Sequence, residues 1–196
     1  LMLAAAPTEL MFIVDAFMLP MQVVADALKT ALKNELANGS RLFFNVALIL
    51  PGFSDAKFAL PRTSLATTDA LNKVYQFLDA LDQQTSSTSQ KASFSKALHS
   101  ILARPTPGTD LQRRAILISN MHPSRKHSSV EQILAITEDF TLMPIGIGPN
   151  ANFSVLHSLA QATHGRADVS WDPSDIDTKI ALQIQRSRQP KIHTPR

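Results

Sequence analysis

The feature that most limits how this chain can fold is the alternation of short, almost wholly apolar runs with longer segments whose apolar residues recur every three or four positions. The runs are Leu10-Met11-Phe12-Ile13-Val14, Leu42 to Leu50, Ala115-Ile116-Leu117-Ile118 and Leu142 to Ile147. A strand in a parallel sheet reads this way because helices cover both of its faces and leave no polar alternation. Between the runs, Val23, Val24, Ala27, Leu28, Ala31, Leu32 and Leu36 line one side of a helix that opens after Pro20 and stops at Asn38-Gly39. Thr68-Asp69 opens a helix through Leu71, Val74, Tyr75 and Leu78. Further helices are expected around Ala97 to Leu102, from Val130 to Phe140, from Phe153 to Ala162 and from Pro173 onward. Lys57-Phe58-Ala59-Leu60, beyond Pro51-Gly52, reads as a short strand folding back on the second run, and Ala167 to Trp171 as a final strand. Parallel neighbours need right-handed helical crossovers. The expected fold is therefore α/β and doubly wound: a mostly parallel six-stranded sheet, one short antiparallel edge strand, and helices on both faces.

At 196 residues the chain suits one core. No repeat or internal boundary divides it, so one domain is expected over 8–185, with an extension at 1–7 and a basic tail or linker at 186–196. A chain opening at Leu1 reads as part of a longer protein. The net charge of +3 gathers in that tail, at Arg186, Arg188, Lys191 and Arg196, which leaves the body near neutral. With one Trp and one Tyr, the interleaving of bases and aromatics that nucleic-acid binding demands is lacking, so nucleic acid is not expected as a partner. The absence of cysteine excludes disulfides, thiolate zinc sites and thiol nucleophiles. No apolar run reaches the roughly 18 residues of a membrane span, and no membrane insertion is expected.

Enzyme-like motifs fail on their chemistry. Gly146-Ile147-Gly148-Pro149-Asn150-Ala151 fits the dinucleotide pattern G-x-G-x-x-G/A, with Asp168 downstream. Pro149, however, has no N–H to offer a pyrophosphate, and only one strand follows, whereas a cofactor fold carries its fingerprint on an early strand. A glycine turn at a strand end is the expected reading, and no cofactor is expected. His99, His122, His127, His157, His164 and His193 show no metal-ligand spacing, and Ser54 falls in a hairpin rather than a nucleophile elbow. Ligands of open α/β sheets bind at the carboxyl ends of the strands, where strand order reverses. The first such loop reads Asp15-Ala16-Phe17-Met18-Leu19-Pro20: one carboxylate, then large apolar side chains. Two readings stand for that apolar run, a contact patch and a segment tucked beneath neighbouring helices.

The order of elements, with an Asp ending the first strand and a long strand folding into a short edge strand, resembles the von Willebrand factor type A family over roughly Thr8 to Gln185. Met143 to Asn152 resembles the corresponding strand and turn of the second A domain of von Willebrand factor. The family holds a divalent cation with Asp-x-Ser-x-Ser after the first strand, a Thr before a middle helix and an Asp after the fourth strand. Here Asp15 is kept, but Phe17 and Leu19 replace the serines, Ala92 stands at the Thr position and Asn120 at the last Asp. The resemblance thus implies a degenerate metal site. A calcium alternative known in the family would fall on Glu9 and Asp110, with Arg114 where a neutral ligand would sit. It further implies a non-enzymatic protein-binding module of a larger, extracellular adhesive or matrix protein, contacting its partner through Asp15, Phe17, Met18, Leu19 and Asn120. Type A domains also serve as intracellular assembly scaffolds and as force-sensing structures.

Overall fold

The computed structural model describes residues 7–17, 19–38, 42–51, 53, 55–80, 94–105, 108, 111–121, 130–137 and 139–189. Strands β1 (Thr8–Asp15), β2 (Phe43–Ile49), β5 (Gln112–Ile118), β6 (Thr141–Ile147) and β7 (Asp168–Ser170) run parallel. Two-residue antiparallel strands β3 (Lys57–Phe58) and β4 (Ser64–Leu65) both pair with β2. The sheet order is β3-β2-β1-β5-β6-β7, with β4 beside β2. The expected edge strand is β3. Ser64-Leu65 adds a second short pairing that has no apolar run to announce it. Asn45, fully buried in β2, fixes the return: its amide donates to the Leu60 carbonyl at 3.0 Å and accepts from Leu60 N–H at 3.1 Å.

Among the described residues six helices cover the sheet: α1 (Met21–Ala37), α2 (Thr68–Asp79), α3 (Phe94–Leu102), α4 (Val130–Leu134), α5 (Phe153–Ala162) and α6 (Ile176–Ser187), the last preceded by a 3-10 turn at Pro173–Asp175. Strand side chains alternate between faces, which divides the core in two. Leu10, Phe12 and Val14 of β1, with Ile116, Ile118, Met143 and Ile145, pack beneath α1, α2 and α6. Met11 and Ile13, with Ala115, Leu117 and Leu142, pack beneath α3, α4 and α5. This two-sided burial is the physical cause of the unbroken apolar runs.

Several boundaries differ from the sequence expectation. The cap of α2 is Thr67, one residue earlier, whose hydroxyl accepts from Ala70 N–H at 3.2 Å. The α4 helix ends at Leu134 rather than Phe140. Ile136 N–H and Thr137 N–H donate to the Ile133 and Leu134 carbonyls, i→i+3 bonds that tighten the last turn and bring Phe140 down into the core before β6. At the far end, α6 runs to Ser187, past the expected boundary at 185. Arg186 pairs with Asp168 at 2.6 Å, and the buried Arg114 donates to the carbonyls of Arg186 at 3.2 Å and Gln189 at 2.6 Å. Residues 186–189 therefore belong to the domain. The remainder of the expected tail, with His193, lies outside the described residues, as do residues 1–6 and Gly39 of the expected helix stop.

Candidate functional site

Strand order reverses between β1 and β5, so the loops leaving their carboxyl ends diverge to opposite faces of the sheet and open the crevice where such folds bind ligands. Asp15 closes β1 on this rim. It is wholly buried, and its oxygens accept from the Ser119 hydroxyl at 2.8 Å and from Phe17 N–H at 3.3 Å. Ser119 also accepts from Met121 N–H at 3.0 Å, which steadies Met121 in the left-handed region at φ 44°. Asp15 thus fastens the β1 and β5 exits together. Ser119 is a site residue that sequence reasoning missed. The Ile118-Ser119-Asn120 triplet drew attention to Asn120 because the family's Asp stands there, and only the parallel register of β1 and β5 brings the Ser119 hydroxyl to Asp15.

The other residues expected at this site separate. Phe17 is half-buried, whereas Leu19 is 9% exposed and packs into the core beneath α1, so Leu19 does not present the contact surface expected of it. Leu19 packs inward just before Pro20 and the start of α1. Asn120 is 3% exposed, and its carbonyl accepts from Asn152 N–H at 2.7 Å, so it ties the β5 exit to the turn after β6. Met18, Ala92, Asp110 and Ser54 lie outside the described residues, with His122 and His127. Glu9 sits at the opposite end of β1, 1% exposed, accepting from Thr63 at 2.6 Å and from Arg113 at 3.0 Å. Arg114 stands apart from it, its guanidinium directed at the end of α6, and burial pulls that group below its usual pKa.

The glycine turn after β6 is built for packing. A methyl at Gly146 would lie 2.9 Å from Leu156 and 3.0 Å from Ala151, so this glycine lets α5 lie close on the sheet. Gly148 has φ 79°, and its N–H donates to the Ser170 carbonyl at 2.8 Å rather than facing a phosphate. Asp168, the acid expected of a ribose contact, is paired to Lys179 and Arg186. The dinucleotide pattern is therefore a structural turn.

Beside this turn lies an open cleft of about 250 Å³, between the exits of β5, β6 and β7 and the start of α1. Pro20, Pro149 and Pro173 form its walls, Asn120 and Asn150 contribute amides, and Trp171 stands at its edge, 62% exposed. The sequence placed Trp171 only at the end of a strand. Asp172 follows it, fully exposed, and hydrogen bonds from Ser174, first its backbone N–H, hold the Asp172 carboxyl below its ordinary pKa.

A family model described as von Willebrand factor type A domain matches residues 9–169. Among solved structures, the chain is similar to a von Willebrand factor type A protein from Catenulispora acidiphila, with 15% identity and a TM-score of 0.71 over 93% of this chain and 43% of that one. It is likewise similar to the N-terminal domain of TFIIH p34, with 14% identity and a TM-score of 0.67 over 91% of this chain and 98% of that one. The pilus adhesin SpaC from Lactobacillus rhamnosus GG gives 11% identity and a TM-score of 0.67 over 93% of this chain and 30% of that one. At these identities the likeness is one of fold. No curated protein matches the sequence. The chain thus spans less than half the length of the Catenulispora protein.

Proposed function

Since the chain belongs to the von Willebrand factor type A family, we propose that it is a non-enzymatic protein-binding module that meets its partner at the carboxyl end of its sheet without a bridging metal ion. The observation that carries this reading is the state of Asp15. Magnesium and calcium need about six or more oxygen ligands. On this rim the chain offers the Asp15 carboxylate, the Ser119 hydroxyl bonded to it and, at the family's last Asp position, only the amide of Asn120. Both Asp15 oxygens already accept hydrogen bonds, and Phe17 and Leu19 bring carbon where the family has hydroxyls. A hard divalent cation does not fit that donor set. The second family alternative fits no better, because both Glu9 oxygens are occupied by Thr63 and Arg113.

Without an ion to bridge to a partner's carboxylate, contact falls to side chains on the rim, and Phe17, half-buried beside Asp15, is the apolar group placed to make it. We read the parent as an adhesive or matrix protein outside the cell, in keeping with the pilus adhesin among the similar structures. The likeness to the p34 domain, nearly the whole of which the chain spans, supports a second reading as an intracellular assembly scaffold. Both share the same binding chemistry. The test is partner retention by the immobilised domain, followed by mass spectrometry, with and without a chelator. A partner retained equally in both, and lost on Phe17→Ser while the melting temperature holds, is the expected result. Retention that collapses with chelator overturns the proposal.

A further inference from the structure

The cleft beside Trp171 has no role in the latch at Asp15, yet it carries the most exposed large apolar side chain among the described residues. Its volume falls below the roughly 300–1,000 Å³ of sites for cofactors and drug-sized ligands, so it suits a pair of side chains from an extended segment rather than a whole small molecule. The walls are unusual in chemistry. Pro20, Pro149 and Pro173 have no N–H, and Gly148 N–H is committed to Ser170, so these four wall residues offer no N–H to an incoming strand. What it presents is the flat indole of Trp171 with its N–H, the Asn150 amide and apolar ring edges.

Charge narrows the occupant further. Among the described residues the segments forming the cleft, 19–25, 119–121, 147–153 and 170–178, carry no Lys or Arg, and the last holds Asp172, Asp175 and Asp177. Asp172 is exposed, and hydrogen bonds from Ser174, the backbone N–H first, hold its carboxyl below the ordinary pKa. Asp175 accepts from Ser170, and Asp177 from Thr178 N–H. With Asp172 exposed and no Lys or Arg in these segments, the edge next to Trp171 is acidic.

We propose that the Trp171 cleft binds a proline-containing, extended segment of a partner protein that carries Lys or Arg beside its prolines. A polyproline II segment needs no backbone ladder, offers flat rings to an indole, turns its carbonyls outward to side-chain donors, and loses little entropy on binding. Its basic neighbour meets the acidic edge. This inference rests on the reading of the chain as a protein-binding module, and locates a second contact on it.

Trp171 is the chain's one tryptophan, so its fluorescence reports the cleft directly. The intact domain is titrated with three synthetic peptides: an Arg-flanked proline-rich sequence, the same with Glu for Arg, and the same with Ala for Pro, each followed by emission and calorimetry. The Arg-flanked peptide is expected to bind and shift the emission, and the other two to bind at least about tenfold more weakly. Trp171→Phe keeps an aromatic ring but removes the indole N–H, and Trp171→Ala removes both. By calorimetry the alanine variant is expected to lose about thirtyfold or more, the scale of a central aromatic anchor. Asp172→Asn preserves the cap on Ser174 while deleting the charge, and is expected to weaken binding severalfold, with a matching loss of salt dependence. Equal binding of the Ala-for-Pro peptide overturns the proposal, as does an oligosaccharide that shifts Trp171 emission where the peptides do not. Absence of peptide binding at millimolar concentration also overturns it. Should the domain then still retain a protein partner that Phe17→Ser releases and Trp171→Ala does not, the cleft alone is wrong and the module reading stands.

Discussion

Asp15 is wholly buried, and a hydroxyl and a backbone N–H are among the groups that hold it. A buried carboxylate depends on such donors, because desolvation makes each missing hydrogen bond costly. Ser119→Ala removes the bond to Asp15 and also strips Met121 N–H of its acceptor. Urea unfolding of Ser119→Ala is expected to show a loss of about 1–3 kcal/mol, the usual penalty for leaving buried polar groups unsatisfied. A loss under about 0.5 kcal/mol would mean that Asp15 is held by other contacts. A Ser119→Thr variant, which keeps the hydroxyl, should recover most of the loss. This behaviour was half legible beforehand: the family motif marks Asp15, whereas nothing in the local sequence pairs it with a serine 104 residues away.

Among the elements, α6 depends on its last turn being tied to the sheet. The carbonyls at a helix end have no partners within the helix. Here Arg114, rising from β5, donates to the Arg186 carbonyl in the last turn and to the Gln189 carbonyl just beyond the helix, while Arg186 itself reaches Asp168 at the head of β7. A guanidinium suits this place because its several N–H groups lie in one rigid plane and its charge meets the negative end of the helix dipole. Arg188 adds a pairing with Glu35 of α1. Truncation after Gln185 is therefore expected to lower stability by on the order of 2–4 kcal/mol, since it removes two acceptors of a buried guanidinium together with two charged contacts. Truncation after Gln189 keeps every one of these contacts and should leave the melting curve unchanged. Equal melting curves for the two truncations would show that the ties carry no net stability. The basic, proline-containing composition of 186–196 suggested a linker throughout, because composition records how polar a segment is and not whether a buried arginine awaits it.

For the whole molecule, the sheet is shared by two cores, and the family resemblance implies that three loops from distant parts of the chain converge on Asp15. Restoring the family's ligands tests that convergence. In Phe17→Ser, Leu19→Ser, Ala92→Thr and Asn120→Asp combined, magnesium is expected to raise the melting temperature. A site at a hundred times its dissociation constant adds about 2.7 kcal/mol, or several degrees for a domain of this size. The parent chain is expected to give no shift with magnesium, manganese or chelator. Because Leu19 is a core residue, the combined variant starts from lower stability, and the measurement is the ion-dependent shift within it. A parent that itself shifts with magnesium sinks the ion-free reading. A variant that does not shift places the three loops wrongly.

Much of this architecture was legible in the sequence because burial on both sides of a parallel sheet leaves a direct mark. Runs such as Leu10 to Val14 and Leu142 to Ile147 must be apolar throughout, and the stripe from Val24 to Leu32 must repeat at the helical period, whatever lies opposite them. The identity of Asp15 and the loss of hydroxyls at positions 17 and 19 were equally plain, being properties of single residues. Tertiary structure alone decided the rest: that Ser119 supplies the hydroxyl Asp15 uses, that Leu19 turns inward while Phe17 stays half-exposed, that Arg114 closes α6, and that Trp171 meets three prolines in one cleft. Each of these joins residues far apart in the chain, or sets the direction of a side chain within a loop. A one-dimensional pattern records periodic burial, which each element expresses alone, but a contact between distant elements is fixed only by register and packing, which no single segment contains.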